Sequence, residues 1–259
     1  MARYLTFQLY GMLAAYGLVA VGEVRLTAGH PTRSAVFGLL AACLGIRRDE
    51  EERLRALSDG YGLAVRVDAP GVPLLDYHTI QTPPEKSKRV YRTRADELGG
   101  LLGRDEEPYT ILSRRGYLCD AHFTACLRAL SDTPPFTLEE FATALHKPVF
   151  APYLGRKCCP PSLPFAPRIG AYDSAAEALD AYPLDGTFLG KFFGRSGRQE
   201  APSQAFTDTT EPFENIVQHA LVRDRTHHHG RRQFLERQEA MATVAPGRSG
   251  DKEVGHVSQ

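Results

Sequence analysis

The sequence predicts an α+β fold of the ferredoxin-like kind, and three observations predict it. The elements read in the order strand, helix, strand, strand, helix, strand; the helical segments are apolar enough to cover one face of an antiparallel sheet; and a long insertion separates the second strand from the third. With 259 residues, 42% of them hydrophobic and 24% charged, the chain is long enough for one large domain or two small ones.

Residues 3–10, RYLTFQLY, alternate Leu5, Phe7 and Leu9 with polar neighbours and predict a half-buried strand that Gly11 ends. PTRSAVFGLLAACLG predicts a helix buried on most sides, with Thr32 as N-cap and Gly45 as its stop. RRDEEERLRALSDG predicts a second, solvated helix, capped by Asp49, with its acids in the first turn where the macrodipole favours them and Gly60 at its end. YGLAVRVD and GYLCDAHFTACLRAL predict strands. TLEEFATALHK predicts a short amphipathic helix with Thr137 and Glu140 as a capping box, and PVFAPYLG a closing, proline-edged strand.

The C-terminal third carries weaker signals. YDSAAEALDAY predicts a helix capped by Asp173 or Ser174, and FENIVQHALVRD and RRQFLERQEAMATV predict strands joined by RTHHHG. GTFLGKFFGRSGRQEAPSQAF reads as a loop ordered by a partner, and residues 245–259 as a flexible tail. The expected organisation is a domain over 1–160, with an insertion about 76–118, and a smaller β-rich region over 161–244.

Charge narrows the function. Lys+Arg and Asp+Glu number 31 each, so an anionic partner must be held by local clusters. One lies in the insertion of roughly 45 residues, far longer than a hairpin loop. There KSKRVYRTR brings Lys86, Lys88, Arg89, Arg92 and Arg94 around Val90 and Tyr91 without an acid. Cations beside an aromatic suit phosphates and an unstacked base; a solvated loop is the alternative. TILSRR reads as the returning strand of a hairpin arm and adds Arg114 and Arg115.

A second cluster is YLGRKCCPP, residues 153–161. Gly155 permits a tight turn and Pro160 and Pro161 stiffen the exit, so Arg156 and Lys157 are held in place beside Tyr153, a candidate stacking surface; a plain structural corner is the alternative. PTRS offers Arg33, Ser34 and backbone N–H groups at a helix N-terminus, which fits an anion or ordinary capping.

Metal and redox frameworks fit poorly. Five cysteines, at 43, 119, 126, 158 and 159, make neither a disulfide framework nor zinc-ligand spacing, and adjacent Cys158 and Cys159 are expected as small, partly buried thiols. His227, His228 and His229 cannot all face one ion from a regular strand, and Arg223, Arg225, Arg231 and Arg232 would repel it. No metal or cofactor is expected. MARYLTFQLYGML lacks a signal peptide's apolar stretch and no run approaches the roughly 18 apolar residues of a membrane span, so a cytoplasmic location is expected.

Four blocks, PTRSAVFGLLAACLGIRRDEEERLRALS, LLDYHT, SRRGYLCDAHFTACL and KPVFAPYLGRKCCPPSLPF, closely resemble the Cas-five family as found in the type I-E CRISPR surveillance complex Cascade. The resemblance covers residues 3 to about 165 strongly and the remainder loosely. It departs at GMLAAYG, where members commonly have GPxxxWG: Met12 stands for the proline and Tyr16 for the tryptophan. The resemblance implies a ferredoxin-like, RNA-recognition-motif-like domain, a β-hairpin thumb at the insertion and a smaller C-terminal region. It implies a non-catalytic subunit that grips the 5′ handle of crRNA, caps the backbone beside the CasC subunit, touches the large subunit CasA, and meets target DNA only through the assembled complex. The alternative is a metal-independent endoribonuclease that processes pre-crRNA, as type I-C relatives do. Tyr77 and His78 in their basic setting are the residues that such a reaction would use.

Overall fold

The computed structural model describes residues 1–18, 20, 22–83, 90–97, 109–183, 203–208, 213–228, 231 and 233–244. In chain order they form β1 (Ala2–Ala14), β2 (Val24–Arg25), α1 (Arg33–Cys43), α2 (Glu51–Asp59), β3 (Tyr61–Ala69), β4 (Val72–Thr82) and β5 (Tyr109–Ala129). There follow α3 (Leu138–His146), β6 (Arg168–Tyr172), α4 (Ala175–Ala181), β7 (Ser203–Asp208), β8 (Ile216–His228) and β9 (Gln233–Val244).

One sheet runs in the order β6-β1-β5-β3-β7-β9-β8, with β2 and β4 also paired to β5. Every pairing is antiparallel except β2 with β5. Because β6 pairs with β1 and β7 with β3, the sheet crosses the expected boundary at 160/161. Apolar side chains of β1, β3 and β5, among them Phe7, Leu63, Phe123 and Leu127, pack under Val36 and Leu40 of α1, Leu57 of α2, and Phe141 and Leu145 of α3. Each such fully buried side chain contributes about 1.5–3 kcal/mol. α4 covers part of the opposite face, where Ala178 and Leu179 meet Tyr4, Ala64 and Cys126.

The local caps form where side chains reach orphan amides. Thr32 accepts from the Ala35 amide, Thr137 and Glu140 make the reciprocal capping box, and Ser174, not Asp173, accepts from the Glu177 amide. Four expectations need correction. Gly11 does not end β1, which runs on to Ala14; its missing Cβ lets the 154–160 segment close in, since a Cβ would stand 2.8 Å from Leu154 Cδ1 and 3.0 Å from the Pro160 oxygen. α2 is preceded by Glu50, not capped by Asp49, and the Glu50 carboxylate accepts from the Arg47 amide. PVFAPYLG is not a strand: the Val149 and Phe150 amides donate to the carbonyls of Cys43 and Ala42, closing the C-terminus of α1, and the strand beside β1 is β6 instead. Ser203–Phe206, expected within a loop, belongs to strand β7, while residues 184–202 lie outside the described residues, as does the expected tail.

A buried ionic clamp fastens β7–β9 to α1. Arg33 ion-pairs through Nη1 with Asp208 and donates Nη2 to the carbonyls of Ser58 (2.5 Å) and Tyr61 (2.8 Å). Its backbone amide donates to Asp224 at 2.7 Å, and Asp224 also accepts from Arg237, which bonds Glu239, which bonds His30. The His30 ring stacks on Phe206 at 3.6 Å. Burial pushes the Glu239 carboxyl up, but the His30 bond and charge together with Arg237 outweigh it and hold the group below the usual carboxylate range.

Removing one partner leaves the other charge buried, so Asp208→Ala is expected to cost about 3–5 kcal/mol in urea unfolding; a cost under about 1 kcal/mol would contradict the clamp. Because Glu239 is lowered on folding, its contribution is present above the ordinary carboxylate value and is lost as pH falls through its folded value. Glu239→Gln is therefore expected to flatten the acid limb of stability against pH, and an unchanged limb would count against this arrangement.

Candidate nucleic-acid interface

β5 does two jobs along one strand. Its C-terminal half is central in the sheet between β1 and β3, and its N-terminal half projects as a hairpin arm with β4, paired from Val72↔Cys119 to Thr82↔Tyr109. β2 lies along the other edge of the arm's base and pairs Val24↔Arg114 and Arg25↔Arg115.

This pairing gathers cations that are far apart in sequence. Tyr77, Arg114 and Val24 lie across from one another, and Asp76, Arg115 and Arg25 form the neighbouring row. Alternation sends the two rows to opposite faces of the arm. The Arg114 guanidinium sits 5.9 Å from the Tyr77 ring centroid. Tyr117, two positions beyond Arg115 and so on its face, carries the Arg156 guanidinium at 4.8 Å. Arg156 in turn donates to the Gly116 carbonyl (3.3 Å) and the Arg25 carbonyl (3.0 Å), stapling the 153–159 turn to β5 and β2.

None of Arg25, Arg114, Arg115 and Arg156 reaches a carboxylate within ion-pair distance among the described residues, whereas Arg33, Arg66, Arg94, Arg225 and Arg237 each do. Like charges directly opposite in a sheet repel, as Arg25 and Arg115 do. Such a cluster is stabilised by an external anion, and polyphosphate backbone is the anion that spans several positive sites.

The turn at 153–159 is built to lie against the end of β1. Gly155 has φ +84, and a Cβ there would stand 1.9 Å from the Ala15 carbonyl oxygen. The Ala15 amide donates to the Leu154 carbonyl, the Leu154 amide to Cys159, and the Cys159 amide to Arg156. Lys157 projects exposed from this turn and Tyr153 is half-buried. Beneath it Tyr16 is 2% exposed, edge-on to Phe123 at 5.7 Å, and its hydroxyl has no hydrogen-bond partner among the described residues. Burial, and secondarily Cys159, pushes that phenol upward. Tyr16 is thus a core wedge and offers no face to a base.

The other sequence candidates fall elsewhere. Arg33 is no surface cation: it is buried in the clamp, and Asp224 already fills the anion position at the N-terminus of α1. Ser34 bonds the Thr32 hydroxyl beside it. Arg94 lies in a single helical turn, tied to Glu97 (2.6 Å) and the Gln81 carbonyl (2.5 Å), while Arg92 is exposed next to it. His78 is exposed on the arm opposite Ser113. Lys86, Lys88 and Arg89 lie outside the described residues, as does His229. His228 faces Glu51 at 3.5 Å, and no group of three or more potential metal ligands gathers among the described residues. Sequence reasoning missed Arg25, a lone arginine between the first strand and the first helix, and Tyr117, the ring beneath Arg156. Among the described residues no helix is long and apolar enough to cross a membrane.

Comparison with known proteins identifies the family. The profile described as CRISPR-associated protein (Cas_Cas5) matches residues 4–239. The chain belongs to the Cas5 family of CRISPR-associated proteins. It is 36% identical over 187 residues to the CRISPR system Cascade subunit CasD of Escherichia coli (strain K12), spanning 72% of this chain and 80% of that one. Among solved structures, a chain of a CRISPR RNA-guided surveillance complex superposes with a TM-score of 0.64 at 25% identity, over 93% of this chain and 90% of that chain. A Cas protein crystal structure gives 0.59 at 25% identity, over 96% and 100%. The Cas5 profile spans the arm, the basic turn and the clamp alike.

Gly155→Ala is expected to cost about 1–3 kcal/mol in thermal or urea unfolding, because neither the φ nor the approach to Ala15 tolerates a side chain. Tyr16→Phe removes a buried hydroxyl without a partner and is expected to stabilise by about 1 kcal/mol; a loss of stability would mean that the hydroxyl is hydrogen-bonded.

Proposed function

We propose that this Cas5-family chain is the crRNA-binding subunit of a type I-E Cascade-type complex, holding the 5′ handle of the guide at the base of the β4–β5 arm without cutting it. The observation that carries this reading is that Arg25, Arg115 and Arg156 beside Tyr117 on one face of the arm's base, and Arg114 beside Tyr77 on the other, reach no carboxylate within ion-pair distance among the described residues. The relationship to a Cascade subunit supports it.

The strand order β6-β1-β5-β3 under α1 and α3 supports a ferredoxin-like domain that takes in β6 and so runs past 160 to about 172, with the arm as its thumb and a smaller region following. In an RNA-recognition motif the open sheet face stacks bases. Here that face is closed. Arg66, fully buried, donates to Asp68 at 2.6 Å and to the Leu179 carbonyl of α4; Asp68 accepts from Thr124 at 2.6 Å, and His122 bonds Gln8 at 3.2 Å. The RNA is accordingly held at the rim, where phosphates meet Arg114, Arg115, Arg156 and Lys157 and a base stacks at Tyr77 or Tyr153. Arg92, exposed on the same insertion, is proposed as a further phosphate contact, and so, from the sequence run alone, are Lys86, Lys88 and Arg89. Leu74, Leu75 and Val72, exposed on β4, are suited to the neighbouring subunits CasC and CasA rather than to water.

Non-catalytic holding fits the arm better than cleavage does. His78 stands exposed with no residue orienting its imidazole among the described residues, whereas a general base is held by a third group. Replacing Arg25, Arg114, Arg115 and Arg156 together by Glu is expected to yield purified complexes lacking RNA of uniform 5′ end. Normal RNA content would sink the proposal. Incubation with repeat RNA in EDTA is expected to leave the RNA whole; a product lost in His78→Ala would establish the nuclease instead.

A further inference from the structure

The turn that seats Arg156 also carries the vicinal pair Cys158 and Cys159, whose sulfurs lie 3.9 Å apart. Their environments are opposite: Cys158 is exposed, Cys159 has no exposed surface. Cys158 Sγ lies 3.8 Å from the Tyr117 hydroxyl, on the same ring that carries Arg156. On the inner side, Cys159 neighbours the unpartnered hydroxyl of Tyr16. The backbone around the pair is the backbone that shapes the turn, because the Cys159 carbonyl accepts from Leu154 (2.7 Å) and the Cys159 amide donates to Arg156 (2.9 Å).

We propose that Cys158 and Cys159 form a reversible, peroxide-sensitive dithiol site whose closure to a vicinal disulfide unseats Arg156. The exposed Cys158 sulfur attacks hydrogen peroxide; an S–O bond forms, the O–O bond breaks and one water departs. The Cys159 sulfur, reachable only from its neighbour, then attacks the Cys158 sulfur; the S–S bond forms, the S–O bond breaks and the second water leaves with the remaining thiol proton. Two thiols and one peroxide thus give one disulfide and two waters. Burial, with Cys158 beside it, pushes the Cys159 thiol up to about 12, which keeps it the resolving partner and not the first to react.

Closure must bring sulfurs from 3.9 Å to about 2.0 Å, drawing Cys158 away from Tyr117 and twisting the peptide between the two cysteines. Adjacent Cα atoms about 3.8 Å apart are closer than the usual disulfide range of about 4.4–6.8 Å. The product is strained and readily reduced, the property of regulatory rather than structural disulfides. Its effect on RNA rests on the function proposed above; its formation does not.

The test uses the full chain with Cys119→Ser, which removes the remaining partly accessible thiol. Peroxide is expected to remove two hydrogens, mapped to the 158–159 peptide and restored by dithiothreitol, and to raise amide exchange at Leu154 by about tenfold. Handle RNA is expected to bind about tenfold more weakly to the oxidised chain and to recover on reduction. Oxygen addition at Cys158 without a disulfide, or unchanged exchange at Leu154, overturns the site. A disulfide that leaves RNA binding unchanged overturns the coupling to Arg156. If the reduced chain binds no handle RNA while the disulfide and the exchange both appear, the RNA reading has failed and the dithiol site stands.

Discussion

The arrangement depends on the continuity of one strand. β5 runs unbroken from Tyr109 to Ala129, so the residues that anchor it, Phe123, Ala125 and Leu127, and the residues that project from the body, Arg114 and Arg115, share one backbone. Core packing therefore fixes where the arm's cations stand. A separate loop would place arginines anywhere within its reach; a strand clamped on both sides by β1 and β3 places them at fixed register against β2.

The second constraint is close backbone approach. Gly11 and Gly155 let the 153–160 turn lie against β1 at distances that no Cβ allows, and Arg156 bridges from that turn to β2 and β5. The guanidinium keeps donors to spare after two carbonyl bonds, so it can position the turn and still meet a phosphate. The contrast with Arg33 and Arg66 is instructive. Those arginines are buried with their own carboxylates, and they hold β7 to α1 and seal the second sheet face. The same residue type does structural or binding work according to whether a carboxylate has been supplied within the chain.

Much of this was legible in the sequence where the controlling interaction is local. The caps at Thr32, Thr137 and Ser174 act over three residues, and alternation marked β1, β3 and β5. The α+β class followed, and the four sequence blocks pointed to the family that the comparisons establish. What failed depends on distant partners. Nothing near Arg33 announces that Asp208 and Asp224 will bury it, and PVFAPYLG reads as a proline-edged strand although its amides serve the end of α1. Arg25 was overlooked because its significance comes only from pairing with Arg115, about ninety positions away.

The most direct measurement is the salt dependence of handle-RNA binding by the intact chain and by a variant with Arg25, Arg114, Arg115 and Arg156 changed to Ala. If these cations neutralise phosphates, each contributes about 0.7 to the slope of log affinity against log salt, so the variant's slope should be shallower by about 3. An unchanged slope would contradict the account, because the cluster at the base of the arm would then not be where the RNA backbone is held.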